Sequence, residues 1–197
     1  NTKAIAEAAS HEVGHNLGLE HAGTIAHDAV AANGYYQGQG AWAPIMGASY
    51  YRPVTQYSSG EYQYSNNNQD DYAVIATNGL QQIADDYGAT LAGATALSSG
   101  TPLSGVIASP TDVDAFTFTA SGATTVDVTP AEVAPDLDTR LRIYDGTQAL
   151  VATIDPAVAM TNASTATGLG ATYSFTATPG TYYATVDGTG FGDPLTN

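Results

Sequence analysis

Residues 11 to 21 read His11-Glu12-Val13-Gly14-His15-Asn16-Leu17-Gly18-Leu19-Glu20-His21. They combine three imidazoles, a carboxylate and two glycines in a spacing that suits a single metal ion. His11 and His15 stand four apart, so on a helix both rings project from one face and can share one cation. Glu12 lies beside that face and can reach a metal-bound water without ligating the metal. Gly18 supplies a residue able to take positive φ, which stops the helix and lets His21 swing back as a third nitrogen. Three neutral imidazoles leave a fourth position open for water, the arrangement of a catalytic zinc site. With 4 His and 21 Gly in the chain, chance assembles the whole pattern in roughly one such sequence in 200,000.

The elements that position these residues follow from periodicity. Thr2 can cap a helix running to about Leu17, with Ala6, Ala9, Val13 and Leu17 as its expected buried stripe. From Asn33 to Asn68 the chain is rich in Gly, Tyr, Asn and Gln without clear period, and it reads as loops and short turns. A second helix is expected from Asn68 to Asp85, with Asp70 and Asp71 at its favourable N-terminal end and Ile75, Leu80 and Ile83 as apolar positions. A linker follows around Asp85 to Gly93.

Beyond it the texture changes to Thr, Val, Ala and Ser punctuated by Gly and Pro. Alternation marks strands over residues 113–119, 125–128 and 140–144. Further strands are expected over 150–154, 173–178 and 182–186, the last two joined by a turn at Pro179-Gly180. The expected domains are therefore 1–90, carrying the metal motif, and 93–197, an antiparallel β-sandwich.

Composition narrows the function. Four Lys+Arg against 19 Asp+Glu give a formal charge of −15, which argues against nucleic-acid partners that need basic residues on phosphates and against anionic membrane surfaces. Cysteine is absent, which excludes disulfides, thiolate metal ligands and cysteine nucleophiles. The chain opens on Asn1-Thr2-Lys3 and reads as a piece of a longer precursor, with an export signal expected upstream and the mature protein secreted.

The motif resembles the signature of the metzincin metallopeptidases, H-E-x-x-H-x-x-G-x-x-H followed by a methionine-containing turn. Pro44-Ile45-Met46-Gly47 comes 25 residues after His21, and the resemblance makes Met46 the apolar floor beneath the imidazoles. It implies His11, His15 and His21 as zinc ligands, Gly18 as a supporting residue and Glu12 as the general base. In this mechanism Glu12 takes a proton as water attacks a peptide carbonyl and later passes it to the leaving amine. Some metzincins place a zinc-binding tyrosine two residues after the turn methionine; that position is Ala48 here, and Tyr50 is a candidate, out of register, for bonding the oxyanion. His27 is expected to be exposed or to lie behind the ligands.

The run from Trp42 to Tyr62 and Asn68-Gln69-Asp70-Asp71 is similar to a secreted bacterial group of such peptidases. The resemblance implies an α+β fold, the mainly helical and loop C-terminal half of a catalytic domain followed by the sandwich. The substrate-aligning half that precedes it in the family is not in this sequence, so little peptidase activity is expected from this stretch alone.

The second region resembles the bacterial pre-peptidase C-terminal domain through Thr111-Asp112-Val113-Asp114-Ala115-Phe116-Thr117-Phe118, Leu141-Arg142-Ile143-Tyr144-Asp145 and Gly180-Thr181-Tyr182-Tyr183-Ala184-Thr185-Val186. Asp112 with Asp114, and Asp136 with Asp138, form D-x-D pairs whose oxygens could bind calcium. Expected partners are a protein or peptide substrate and an extracellular polymer or protein held by the sandwich. A secreted binding or adhesion protein without catalysis is the alternative reading, and a zinc hydrolase of non-protein substrates a third.

Overall fold

The computed structural model describes residues 2–190. Helix α1 spans Thr2–Asn16, built on an alanine-rich stretch and supported by an i,i+4 ion pair from Lys3 to Glu7 at 2.7 Å. Its buried face is not the expected apolar stripe. Glu7, His11 and Gly14 face inward, while Ala6 and Ala9 are exposed and Val13 is 47% exposed. The helix docks through hydrogen bonds, and these set its rotation in place of the alanine stripe.

Two short parallel strands, β1 (Trp42–Pro44) and β2 (Val54–Gln56), flank a single 3₁₀ turn over Ser49–Tyr51. Helix α2 covers only Asp71–Thr77, although a helix over 68–85 was expected. Asp70 caps it by accepting from Ala73 N–H at 3.0 Å. It stops because Gly79 takes φ +108° and Leu80 N–H closes back on the Ile75 carbonyl at 3.3 Å. Past that point Leu80 and Ile83 are 52% and 68% exposed, so no apolar stripe holds further turns.

The expectation of an α+β chain with a mainly helical catalytic half is therefore corrected. The α-helices comprise 15 and 7 residues among those described, whereas strands β4 (Val113–Val128) and β9 (Ala171–Gly188) alone run 16 and 18. The protein is β-rich. The β character expected after residue 93 is present, and residues 191–197 of that region lie outside the described residues.

Its main sheet has the order β3-β4-β9-β5-β6, with β3 at Thr95–Ala96, β5 at Thr139–Tyr144 and β6 at Leu150–Ile154. All pairings are antiparallel except β3 with β4. Strands β7 (Ala159–Asn162) and β8 (Thr165–Thr167) form a separate hairpin. Pro179-Gly180 is not a turn. Pairing slips from Ala120↔Gly180 to Gly122↔Ala177, so Thr178 and Pro179 oppose Ser121 alone. A proline has no N–H to give a ladder, and the bulge is where that loss costs least.

Leu141, Ile143, Ala171, Ala177, Tyr182 and Ala184 fill the core of this sheet. Leu19, Ala22, Met46 and Tyr62 fill that of the first region. A third cluster of Ala41, Val54 and Leu169 joins the two, reinforced by Gln56 Nε2 donating to the Asp136 carbonyl at 2.7 Å.

Candidate metal centre

Helix α1 ends in a turn that brings the third histidine to the first two. Gly18 at φ +88° lets Gly18 N–H reach the His15 carbonyl and Leu19 N–H reach the Gly14 carbonyl, both at 3.0 Å. The chain then folds back along the helix. Three amide side chains from residues 66–69 brace the returning loop. Gln69 Oε1 accepts from Glu20 N–H at 2.9 Å, Asn66 Oδ1 from Gly23 N–H at 2.8 Å, and Asn67 Nδ2 donates to the His21 carbonyl at 3.4 Å.

The three imidazoles converge through their Nε2 atoms. His15 Nε2 lies 3.2 Å from His11 Nε2 and 2.9 Å from His21 Nε2. Tetrahedral zinc with Zn–N distances near 2.05 Å sets its nitrogens about 3.3 Å apart. His11 Nδ1 donates to the Ile45 carbonyl and His15 Nδ1 to the Leu19 carbonyl, each at 2.8 Å.

A carbonyl has no proton to give, so in the neutral rings both protons sit on Nδ1 and both Nε2 lone pairs point into the cluster. Two bare lone pairs at 3.2 Å repel unless a cation lies between them. That chemistry fits a zinc ion, and His11, His15 and His21 are the residues that would hold it. Burial, helped by His15 and His11 and opposed by Glu12, pushes the His21 pKa down, toward the neutral ligand form.

Met46 has no exposed surface and packs in the cluster of Leu19, Ala22 and Tyr62, with its side chain beside Gly14 of α1. Gly14 makes room for it: a Cβ there would sit 2.5 Å from Met46 Sδ and 3.2 Å from Leu19 Cδ1. Gly14→Ala should therefore lower stability by about 1–3 kcal/mol from overpacking, despite alanine's better helix propensity. A urea unfolding curve checks this, and a stabilised variant would show that Met46 shifts freely.

Sequence reasoning missed Glu7. Its buried carboxylate accepts from Lys3 Nζ at 2.7 Å, Ser49 Oγ at 2.5 Å and Thr55 Oγ1 at 2.8 Å. It pins α1 to the segment after Met46, one turn before His11. Tyr35 was missed too; its ring centroid lies 4.3 Å from that of His21 and 6.2 Å from that of His11. The adjacent pair Tyr35-Tyr36 was the available signal.

Glu12 is exposed beside His11, close enough to His21 to favour its charged form. Tyr50 sits on the 3₁₀ turn, 39% exposed, with its ring against Tyr51 at 6.4 Å. His27 lies apart from the cluster, stacked on Tyr64 at 3.6 Å.

The aspartate pairs divide. Asp85 and Asp86 gather with Asp114 so that one oxygen from each lies within 4.8 Å of the others. Asp114 is 3% exposed and its Oδ1 has no hydrogen-bond partner. Burial, reinforced by Asp112, Asp86 and Asp85, pushes the Asp114 pKa up to about 7. Asp112 spends one oxygen on Ala108 N–H at 2.6 Å. Asp136 and Asp138 belong to no such triple among the described residues. Asp138 instead faces Asp155, and its pKa is raised to about 6, chiefly by burial.

Neither a family model nor a curated protein matches this chain. Among solved structures it is similar to the crystal structure of the pre-peptidase C-terminal domain of collagenase from Bacillus anthracis. Identity is 18% and the TM-score 0.36, over 55% of this chain and 92% of that one.

Proposed function

We propose that the chain carries a zinc-dependent endopeptidase centre acting on protein or peptide substrates outside the cell. The observation that carries this reading is the convergence of three Nε2 atoms, with the Nδ1 protons of His11 and His15 already committed to carbonyls. The order of ligands, Glu12 and turn methionine, which resembles that of metzincins, supports it. Zinc bound by three imidazoles supplies a Lewis acid and brings the pKa of a coordinated water to about 7.

The chain's own residues do the rest. The Ile45 and Leu19 carbonyls hold His11 and His15 in one tautomer and one orientation. Glu12 takes the proton of the attacking water and returns it to the leaving amine. Metal analysis after zinc titration, followed by an assay on an unfolded protein, tests the reading. One zinc per chain with slow, chelator-sensitive cleavage is expected. A protein that takes up no zinc, or that binds it and never hydrolyses a peptide bond, would instead fit an adhesion module.

The orphaned, buried Oδ1 of Asp114 supports calcium as a second cation, held by Asp85, Asp86 and Asp114. Calcium takes several hard oxygen ligands and would satisfy that atom. At a hundred times its Kd, calcium should stabilise the fold by about 2.7 kcal/mol, read as a rise in Tm. Asp114→Asn should abolish the rise and Asp136→Asn should keep it. An undiminished rise in the Asp114 variant would remove this site.

A further inference from the structure

We propose that Tyr35 is the aromatic wall of the metal centre and selects substrates with a flat, aromatic side chain next to the bond to be cut. The inference rests on the zinc reading above and adds its substrate class.

The backbone bends at Gly34 and Tyr35 and is held on both sides of the bend. Tyr36 N–H donates to the Ala22 carbonyl and Ala48 N–H to the Tyr36 carbonyl, both at 2.8 Å, while Asn33 and Thr24 exchange backbone bonds at 2.7 and 3.0 Å. Asn33 Oδ1 also accepts from Tyr35 N–H at 3.0 Å. Tyr36 turns inward and stacks on buried Tyr62, with ring centroids 4.3 Å apart and planes at 8°. Tyr35 turns instead toward the imidazoles.

There its ring lies 4.3 Å from His21, tilted by 45°, and 6.2 Å from His11 at 27°. It makes no comparable ring contact with His15, so it borders the cluster on the His11–His21 side. Its hydroxyl has no hydrogen-bond partner among the described residues, and the residue is 47% exposed. The ring is thus fixed at the rim of the site by its backbone and by stacking, with surface left for another ring. Tyr50 offers no such surface to the imidazoles; its ring contact is with Tyr51. Aromatic rings recognise one another in offset or edge arrangements, a preference that amounts to about fivefold in affinity per pair.

Cobalt substitution tests this without relying on turnover. The cobalt-loaded protein is titrated with acetohydroxamate and with benzohydroxamate, two chelators that differ by a phenyl ring, and binding is followed in the visible spectrum of the metal. Wild type should favour benzohydroxamate about fivefold more than Tyr35→Ala does, while both take up one cobalt per chain. Tyr35→Phe should keep the wild-type preference, because the ring and not the hydroxyl does the selecting.

An unchanged preference in Tyr35→Ala overturns the proposal. So does a Tyr35→Phe variant that behaves like the alanine variant. Failure of the wild type to bind cobalt overturns the metal centre itself and this inference with it. That result is read from metal stoichiometry before any chelator is added, so the two failures are distinct.

Discussion

His15→Ala is expected to weaken zinc binding by more than about a hundredfold, because loss of a partner behind a ligand alone costs 10–100-fold and this change removes the ligand. His15 is the central donor of the three. Its Nε2 is 3.2 Å from that of His11 and 2.9 Å from that of His21, and its Nδ1 anchors the Leu19 carbonyl of the returning loop. The substitution therefore removes a ligand and loosens the turn that delivers another. Equilibrium dialysis against a zinc buffer gives the affinity, and far-ultraviolet circular dichroism confirms that the fold persists. His27→Ala is the matched control. That ring is stacked on Tyr64 with Nδ1 on the Ile25 carbonyl, so zinc affinity should not change. Equal losses in both variants would mean that zinc binds elsewhere or nowhere in particular.

Glu12→Gln should bind zinc as wild type does and lose about 10²–10⁴ in peptide hydrolysis, the usual contribution of a positioned general base. Glutamine keeps the shape and the hydrogen-bonding reach of the side chain but cannot accept the proton of the attacking water. Glu12 is exposed and carries no packing role, so the fold should not respond. The separation of the two readouts is the point of the experiment. Lost zinc would make Glu12 a ligand or a prop, and an undiminished rate would take it out of the chemistry. Quenched fluorescent peptides give the rate, and metal analysis of the same sample gives the zinc.

Local spacing was enough to read the metal motif as a unit. Two histidines four apart on a helix share a face, and Gly18 takes the positive φ of the turn that closes the helix; both are properties of a few consecutive residues. The β pattern after residue 93 was legible for the same reason, since alternation is local. What local pattern missed was set by partners distant in the chain. The stripe Ala6, Ala9 and Val13 has the period of a buried face, yet the helix turns Glu7 inward because Ser49 and Thr55 await its carboxylate more than 40 residues away. Alanine gains too little from burial to compete with a carboxylate offered three donors.

Other corrections have the same source. Helix α2 stops at Thr77 because Gly79 turns the chain and Leu80 and Ile83 remain more than half exposed. Pro179 lies inside a strand because a bulge opposite Ser121 absorbs its missing donor.

By itself, then, the sequence determined that His11 and His15 share a helix face and where the first helix ends, because helical period and backbone sterics act over a few residues. Tertiary structure alone decided which face of that helix is buried, that Tyr35 and not Tyr50 borders the imidazoles, and that Asp85 and Asp86 join Asp114. Those choices compare the free energies of contacts between segments tens of residues apart, and neither period nor spacing along the chain encodes which segments will meet.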